Sequence, residues 1–571
     1  DHWNRRAPTP GRTHAPVPLY VSTKGFAILF DTPRYLKVNV GVGIRRDAAV
    51  KPTPIDRTTR TIRPTKAGEQ PVKATWISRP TSDSVEVLAN ALGMDVYVFA
   101  GPTPMDAVRR YNLFCGGGAL PPKWGLGFMN RVKTAYTAAE ALADVETFRE
   151  NGIPLDMLGL EPGWMDHAYP CSYVWDPTRF PDPKGFLNEL RKHGVRANLW
   201  INPYVGPTHT PLQPKLAPYS GSHLVWNGVV PDYTMQEPRK IFQDHFRQHV
   251  LAPDPIGVGG FKIDEVDGYD ASLWPDMAIF PSGNHAEVLR QTYGLLVQHM
   301  IHDLYRERDQ RTMGQIRGTN AGASPYPFVI YNDNYDFGEY ITAVVNSGFV
   351  GVLWSPEVRG SNDPMDMLRR TQAVCFSPLA LYNGWASEQK LWTHTEVADH
   401  IRDVIKLRLR LVPYFYNAFA QYHFNGTPVI RPMPLAVDMV KTEAKDTAAT
   451  GALDATHNPY EVPAAVREVK DQYFFGDALL VAPIAPADKS RKVVLPAGKW
   501  YDFYTGQFAG ENTTIEVTPP LSQIPVFVKE GALIPMLAED RPHAPAKGES
   551  LALEIRHYGT TPSQAKFYDD E

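Results

Sequence analysis

The strongest constraint on the fold of this chain is an alternation of two kinds of segment between residues 120 and 424. Short apolar segments with strand character are mostly followed by segments whose apolar residues recur at helical spacing. This alternation is typical of parallel α/β folds, and eight such units are what a (β/α)8 barrel requires. The eight predicted strands are Trp124–Asn130, Leu155–Glu161, Arg196–Pro203, Gly257–Glu265, Arg311–Thr319, Phe328–Asn334, Gly351–Glu357 and Phe376–Gly384.

The predicted helices carry their own start and stop signals. The segment AAEALADVETFRENG ends in glycine, and PKGFLNELRKHG has proline near its start and glycine at its end. A single long helix, HIRDVIKLRLRLVPYFYNAFAQYHF, is predicted to close the barrel near residue 424. The stretch 204–256 is too long for a plain barrel loop, which predicts an insertion.

The segments on either side of the barrel have β character, with short apolar runs between Pro- and Gly-containing turns. We therefore predict an α/β fold in which a central (β/α)8 barrel, residues 106–424, is flanked by β-sandwich domains. Residues 1–105 are predicted to form an N-terminal β-sandwich that is incomplete. A proximal C-terminal β-sandwich is predicted over 425–505, and a distal β-domain that is cut short over 506–571.

Composition narrows the class of partner. The chain has 571 residues and a formal net charge of −4, which argues against a polyanionic partner such as nucleic acid. Cys115, Cys171 and Cys375 lie far apart in the sequence and match neither a disulfide framework nor a zinc pattern. No apolar run reaches the length of a membrane span, and no signal peptide is visible. The sequence leaves the compartment open, with a secreted or periplasmic location as one alternative. It also leaves the oligomeric state open, with a homo-oligomer as one alternative.

Polar groups at the strand ends point to the chemistry. The fourth predicted strand runs from apolar residues into the carboxylates Asp264, Glu265, Asp267 and Asp270. In a (β/α)8 barrel the active site lies at this end of the strands. A single strand-end Asp is more often a helix cap or an ion-pair partner. Most of the other strands also end in polar groups, however, and such charges are costly to bury unless they are paired or used.

Two carboxylates around one small cavity are what glycoside hydrolysis requires. Metal binding is the competing use of such residues. Asp264 and Glu265 are neighbours, and neighbours in a strand point to opposite faces, so they are poorly placed to share an ion. The HExxH pattern of zinc hydrolases does not occur in the sequence either. We therefore predict no metal and no cofactor.

Long motifs resemble one known family. The segments KWGLGFM, GIPLDMLGLEPGWMD, RANLWINPYV and FKIDE resemble the first four barrel strands of glycoside hydrolase family 31, a family of retaining exo-α-glycosidases. Downstream, DQYFFGDALLVAPI and LPAGKWYDFYTG resemble its C-terminal sandwiches. The resemblance implies that Asp264 is the nucleophile and Asp333 the general acid and base. It also implies that Arg317, sixteen positions before Asp333, binds substrate.

The chain departs from the family pattern in the residues that would grip the sugar. The Asp that binds the sugar O4 is replaced by Glu161, and the His after the eighth strand is replaced by Asn383. Glu357 occupies a loop that usually carries His-Asp, and Glu265 follows the nucleophile where an apolar residue is usual. A pocket without its usual clamps favours a sugar with an axial O4, and Trp164 is expected to pack on the apolar face of that sugar. These departures resemble the α-galactosidase branch of the family.

The sequence thus predicts a retaining exo-α-glycosidase acting on an oligosaccharide or other α-glycoside, with α-galactosidase as the first choice. An α-glucosidase, an α-xylosidase or a transglycosylase on the same site is the alternative, and a non-catalytic carbohydrate-binding protein is the alternative that is not an enzyme. The predicted substrate-binding residues are Glu161, Trp164, Trp200, Lys262, Glu265, Arg317, Glu357, Tyr382 and Asn383.

Overall fold

The computed structural model describes ten stretches of the chain. They are residues 15–40, 85–206, 211–254, 257–267, 274–331, 336–437, 440–441, 460–461, 464–467 and 469–570. The chain divides into two compact units. One unit is Thr32–Asp95, and the other combines Asp1–Asp31 with Val96–Glu571.

The N-terminal part contains two small sheets. Strands β1 (Leu19–Ser22) and β2 (Phe26–Asp31) form a three-stranded sheet with β5 (Asp95–Ala100), in the order β1-β2-β5. Strands β3 (Leu36–Val40) and β4 (Val85–Ala89) pair with each other. Much of the sandwich predicted over 1–105 lies outside the described residues, so the predicted sandwich remains a prediction.

The centre of the molecule is a parallel sheet that curls into a barrel. Its seven strands follow the order β13-β12-β11-β8-β7-β6-β14. They are β6 (Phe128–Arg131), β7 (Met157–Leu160), β8 (Arg196–Ile201), β11 (Val258–Ile263), β12 (Gly314–Ile316), β13 (Phe328–Ile330) and β14 (Ala380–Asn383).

The segment around residues 354–358 closes the ring. Trp354 forms a parallel bridge to Ile330 in β13, and Val358 forms one to Tyr382 in β14. The seventh predicted strand, Gly351–Glu357, overlaps this segment, which pairs through two bridges rather than a continuous ladder, and the second bridge lies one residue beyond the predicted end. The eight segments confirm the predicted (β/α)8 class.

Helices connect the barrel strands. Helix α2 begins with a capping box, in which Thr137 and Glu140 each accept a hydrogen bond from the other's backbone N–H. None of the helices in the described stretches is long and apolar enough to cross a membrane. The helices of this region, with the short α1 that precedes the barrel, are α1 (Pro104–Phe114), α2 (Ala138–Glu150), α3 (Pro183–Lys192), α4 (Leu212–Leu216), α5 (Gln236–His245), α6 (Ala286–Arg306), α7 (Phe337–Val350), α8 (Pro364–Val374), α9 (Thr395–Arg410) and α10 (Val412–Asn425).

The structure corrects two predicted elements. The long closing helix is two helices, because α9 ends at Arg410 and α10 begins at Val412. Pro413 explains the break, since proline lacks an N–H and its ring clashes with the preceding turn. The stretch 204–256 is only partly an insertion. It carries a hairpin of β9 (Ser220–Val225) and β10 (Gly228–Pro231), but also α5, the helix between the barrel strands β8 and β11.

The C-terminal part is built on a six-stranded antiparallel sheet in the order β15-β18-β19-β22-β20-β21. Strands β20 and β21 pair with each other across residue 505, so strand pairing does not separate the chain at the predicted domain boundary. The elements are β15 (Ile430–Pro432), α11 (Met433–Ala436), β16 (Val440–Lys441), β17 (Tyr460–Glu461), α12 (Ala464–Arg467), β18 (Tyr473–Phe475), β19 (Leu479–Val481), β20 (Arg491–Asp502), β21 (Phe508–Val517), β22 (Val526–Lys529), β23 (Leu533–Leu537) and β24 (Leu553–His557).

One buried arginine ties helix α9 to the barrel. Arg408 is 1% exposed, and its guanidinium donates hydrogen bonds to five backbone carbonyls. These are the carbonyls of Leu126, Gly127, Cys375, Ser377 and Pro378, at 2.8–3.3 Å. The contacts join the start of β6 to the turn that precedes β14, and thus fix two neighbouring barrel strands.

Replacing this arginine is expected to destabilise the fold. Arg408→Met would leave several buried carbonyls without a donor, so we expect the free energy of unfolding to fall by about 3 kcal/mol or more. Urea unfolding followed by circular dichroism measures the loss. Arg402→Met, on the same helix but with a side chain that is 31% exposed and paired with Asp399, is the matched control. Equal losses in the two variants would contradict the assigned role of Arg408.

Candidate active site

Asp264 lies directly after strand β11, at the carboxyl end of the barrel strands. Three donors fix its buried carboxylate. Trp200 Nε1 donates to Oδ2 at 2.9 Å, while Arg317 Nη1 and the backbone N–H of Glu265 donate to Oδ1 at 3.0 and 2.9 Å. Both carboxylate oxygens are therefore held in one orientation.

The surroundings keep Asp264 ionised. Burial alone would raise the pKa of this carboxyl. The positive charges of Arg317 and Lys262, with smaller effects from hydrogen bonds that include the one from Trp200, outweigh burial and lower the pKa to about 2. Asp264 is therefore a carboxylate at neutral pH, which is the form that a nucleophile requires.

A buried layer of charged groups lies beside Asp264. The ammonium of Lys262 is 3.2 Å from Glu357 Oε1 and 3.7 Å from Glu161 Oε1. Arg131 donates from Nε to the same oxygen of Glu161. Asn383 Nδ2 donates to Glu357 Oε2 at 2.7 Å. Buried charges are costly unless they are paired, and here each contacts a partner of opposite sign or a polar group.

Strand geometry explains why these residues meet. Side chains two positions apart on a strand point to the same face. Lys262 and Asp264 are two apart, as are Gln315 and Arg317, and Lys262 is the register partner of Gln315. The alternation thus brings all four side chains to the interior of the barrel.

These groups border a cavity of about 450 Å³, a size typical of small-molecule sites. Its described lining combines charged residues with aromatic ones. The lining residues are Thr134, Glu161, Pro162, Gly163, Met165, Asp166, His167, Ala168, Tyr169, Arg179, Trp200, Lys262, Asp264, Glu265, Arg317, Arg359 and Trp385.

Five of the predicted substrate-binding residues line the cavity, namely Glu161, Trp200, Lys262, Glu265 and Arg317. Glu265 lines the cavity although it directly follows Asp264 in the chain, where strand alternation would turn its side chain away. Strand β11 ends at Ile263, and Glu265 has φ +55°, a left-handed conformation that redirects its side chain. The two carboxylates therefore share the cavity, contrary to the expectation that they point to opposite faces.

The other four predicted residues are not part of the described cavity lining. Trp164 is 1% exposed, and its indole packs on Trp175 and donates to the backbone carbonyl of Trp200. Trp164 thus supports the backbone of Trp200 through a hydrogen bond, and it is too deeply buried to pack on a sugar.

The last two residues of strand β14 point in opposite directions. Tyr382 donates to the backbone carbonyl of Gln389, whereas Asn383 points inward to Glu357. Neighbours on one strand point to opposite faces, and neither residue is part of the described lining, so their role in the pocket remains a prediction. Glu357 contacts two residues of the cavity lining, Lys262 and Arg359, and Asn383 contacts Glu357.

Several residues of the site were missed from the sequence. Arg131, which holds Glu161, directly follows the first predicted strand, and an arginine at a strand end is the signal that could have found it. Tyr169 and Trp385 line the cavity with 45% and 40% of their surface exposed. Both belong to loops, where no periodicity indicates which way a ring points.

Asp333, the predicted general acid and base, lies outside the described residues, and so do Asn332 and Asn334. Its role remains a prediction. Strand β13 ends at Ile330, three residues before Asp333, and parallel β13 is a neighbour of β12 in the same sheet.

Comparison with protein families extends the argument to most of the chain. Residues 118–418 match the glycosyl hydrolases family 31 TIM-barrel domain, and residues 426–534 match the glycosyl hydrolase family 31 C-terminal domain. The first match alone covers more than half of the 571 residues.

Individual relatives are similar over most of this chain. Alpha-glucosidase 2 of Bacillus thermoamyloliquefaciens is 27% identical over 497 residues, which cover 81% of this chain and 59% of that protein. An alpha-xylosidase of Emericella nidulans is 24% identical, with coverages of 79% and 58%. Neutral alpha-glucosidase AB of Sus scrofa is 25% identical, with coverages of 77% and 48%. The chain thus spans between about half and three fifths of the length of these relatives.

Solved structures share the fold. The cycloalternan-forming enzyme of Listeria monocytogenes superposes with a TM-score of 0.77 at 20% identity, over 98% of this chain and 53% of that one. A family 31 dextranase of Flavobacterium johnsoniae gives 0.75 at 19% identity, over 96% and 64%. The fold, the position of Asp264 at the barrel's carboxyl end and the two domain matches lead to one assignment. This chain belongs to glycosyl hydrolase family 31.

Proposed function

We propose that the protein is a retaining exo-α-glycoside hydrolase with Asp264 as its nucleophile. One observation carries the proposal above all. A buried carboxylate, fixed by Trp200, Arg317 and the Glu265 backbone, opens into a cavity large enough for a sugar. A carboxylate in this state is prepared to attack an anomeric carbon.

The proposed reaction has two steps. Asp264 attacks the anomeric carbon and forms a covalent glycosyl–enzyme, while Asp333 gives its proton to the leaving oxygen. Water then attacks the same carbon while Asp333 takes its proton, and Asp264 leaves as a carboxylate. Each step inverts the carbon, so the product keeps the α configuration.

Glu161 is the proposed contact for a sugar hydroxyl. Among the described residues, Arg131 and Lys262 both contact its Oε1, and the residue lines the cavity. Oε2 is the oxygen left to accept a hydrogen bond from substrate. A site that reads hydroxyls by hydrogen bonds discriminates strongly between sugars that differ in one hydroxyl.

The relatives favour a substrate other than the one preferred from the sequence. Those compared above are named α-glucosidases and an α-xylosidase, which supports the alternative rather than the α-galactosidase. We therefore propose an α-glucoside or α-xyloside as substrate. The α-galactoside expected from Glu161 and Asn383 becomes the competing outcome of the test.

A panel of p-nitrophenyl α-glycosides tests activity and sugar preference together. The panel holds the glucoside, xyloside, galactoside, N-acetylgalactosaminide and L-fucoside. We expect the glucoside or xyloside to give the highest kcat/KM, and NMR to show the α anomer as the first product. Product analysis at high substrate concentration separates hydrolysis from sugar transfer. A β anomer as first product, or binding without turnover across the panel, would overturn the proposal.

A further inference from the structure

Glu357 is a buried carboxylate that the proposed reaction does not use. Its side chain has 0% exposure, yet four polar groups surround it. Lys262 Nζ lies 3.2 Å and Gln315 Nε2 3.3 Å from Oε1, while Asn383 Nδ2 lies 2.7 Å and Arg359 Nη2 3.4 Å from Oε2. Three barrel strands, β11, β12 and β14, thus contribute donors to one carboxylate, and Arg359, two residues after Glu357, contributes a fourth.

Lys262 connects this carboxylate to the active site. Its ammonium lies between Glu357 and Glu161, and over the ring of Tyr331 at 4.7 Å. It is also two residues before Asp264, and therefore on the same face of the chain. One lysine thus faces three carboxylates, two of which are proposed to act on the sugar.

A buried ammonium needs a counter-ion, because its desolvation is costly. Among the described residues, Glu357 is the carboxylate closest to Lys262 and does not line the cavity. If Glu357 were neutral, the ammonium would pair with Glu161 or Asp264 instead. That pairing would neutralise the groups that must contact hydroxyls or attack the sugar.

We propose that Glu357 is a positioning residue that acts through Lys262, holding its ammonium beneath Glu161 and Asp264 without letting it bind either one tightly. The inference rests on the proposed function, since it concerns how that site works. It also gives a use to Glu357, one of the departures from the family pattern, which lies between the two bridges at Trp354 and Val358 that close the barrel.

Several charged groups surround Lys262, Glu357 and Asp264, and a test must separate their effects. Lys262 faces Glu161, Glu357 and Asp264, with Arg131 on the far side of Glu161. Glu357 faces Lys262 and Arg359. Asp264 faces Arg317, with Glu265 directly after it in the chain. Burial would raise the pKa of Glu357, but Lys262, Arg359 and Asn383 lower it to about 2, so the group is charged at neutral pH.

Three variants test the coupling through the pH dependence of kcat/KM. In Lys262→Met, Asp264 loses a nearby positive charge, and Glu357 loses its closest counter-ion and keeps only Arg359, so the pKa of Asp264 rises. We expect the acid limb to move to higher pH by about one unit or more. Adding Glu357→Gln removes the remaining negative charge at position 357, and we expect the double variant to recover at least half of the shift and part of the lost rate. If the acid limb of the double variant stays at the pH found for Lys262→Met, or moves to a still higher pH, the proposal is overturned.

The single variants at position 357 supply the control. Glu357→Gln is expected to lose roughly tenfold in kcat/KM, the size of a moderate coupling between contacting residues. Glu357→Asp keeps the charge and is expected to retain more activity than Glu357→Gln. The reverse order would mean that side-chain length, rather than charge, is what the site needs.

A measurement without turnover keeps this inference separate from the proposed function. Breaking a buried ion pair leaves a charge uncompensated, whereas removing both partners does not. We therefore expect Lys262→Met to lower the Tm more than the double variant does. A wild type that cleaves no α-glycoside would refute the proposed function, while this comparison would still decide whether Glu357 and Lys262 act as a unit. If the Tm loss of the double variant equals the sum of the losses in Lys262→Met and Glu357→Gln, the two residues do not act as a unit.

Discussion

Replacing Asp264 with alanine is expected to lower kcat on aryl α-glycosides by at least about 10⁴-fold, the scale on which a lost nucleophile acts. The reason is that the described site offers no second carboxylate held as Asp264 is, by Trp200, Arg317 and a backbone N–H. Stopped assays on the best substrate of the panel measure the loss. Asp399→Ala, at a side chain that is 76% exposed on helix α9, is the control for an Asp to Ala change.

Azide distinguishes a lost nucleophile from a disturbed fold. In Asp264→Ala the missing carboxylate leaves space in which azide can attack the anomeric carbon as the aryloxide departs. One inversion converts the α-glycoside to a β-glycosyl azide. Full activity in Asp264→Ala without azide, or an α-glycosyl azide as product, would show that Asp264 does not form the glycosyl–enzyme.

Replacing Asp333 with alanine is expected to have the second largest effect, and one that depends on the leaving group. A general acid contributes about 10²–10⁴-fold where the leaving oxygen needs a proton. We expect losses of this size on disaccharides and much smaller losses on p-nitrophenyl glycosides, since p-nitrophenolate leaves without protonation. Rates across aryl glycosides with leaving groups of increasing pKa measure the dependence.

Azide gives the opposite product in this variant. With Asp264 intact the glycosyl–enzyme still forms, and azide then attacks it in place of the water that Asp333 would have activated. Two inversions give an α-glycosyl azide. The Asp264→Ala and Asp333→Ala variants are therefore controls for each other. A loss that is equal for all leaving groups would exclude Asp333 as the general acid and leave its role to another residue.

The sequence predicted correctly those features that depend only on residues close together in the chain. Barrel strands are short apolar runs between helical segments, so β6, β7, β8 and β11 all lie within predicted strands or overlap their ends. The two-residue spacing of Lys262 and Asp264 also needs no tertiary information, because strand alternation sets the face on which side chains lie. Proline chemistry is local too, and the break at Leu411 could have been read from Pro413.

The loops could not be predicted in the same way. Trp164 and Tyr169 lie on one connection after β7, and both are large rings suited to a sugar. Only packing decides that Trp164 is buried against Trp175 while Tyr169 lines the cavity. The same holds for Trp385, whose ring lies beneath the guanidinium of Arg359 at 5.6 Å.

The sequence by itself determined the family, the barrel and the position of Asp264 at the end of its strand, because each follows from motifs and periodicity along the chain. The tertiary structure decided which charges meet. Arg317 reaches Asp264 and Lys262 lies between Glu161 and Glu357 because curling the sheet brings the ends of distant strands together. Residues about 100 positions apart thereby become ion-pair partners, and no pattern along the chain measures that distance.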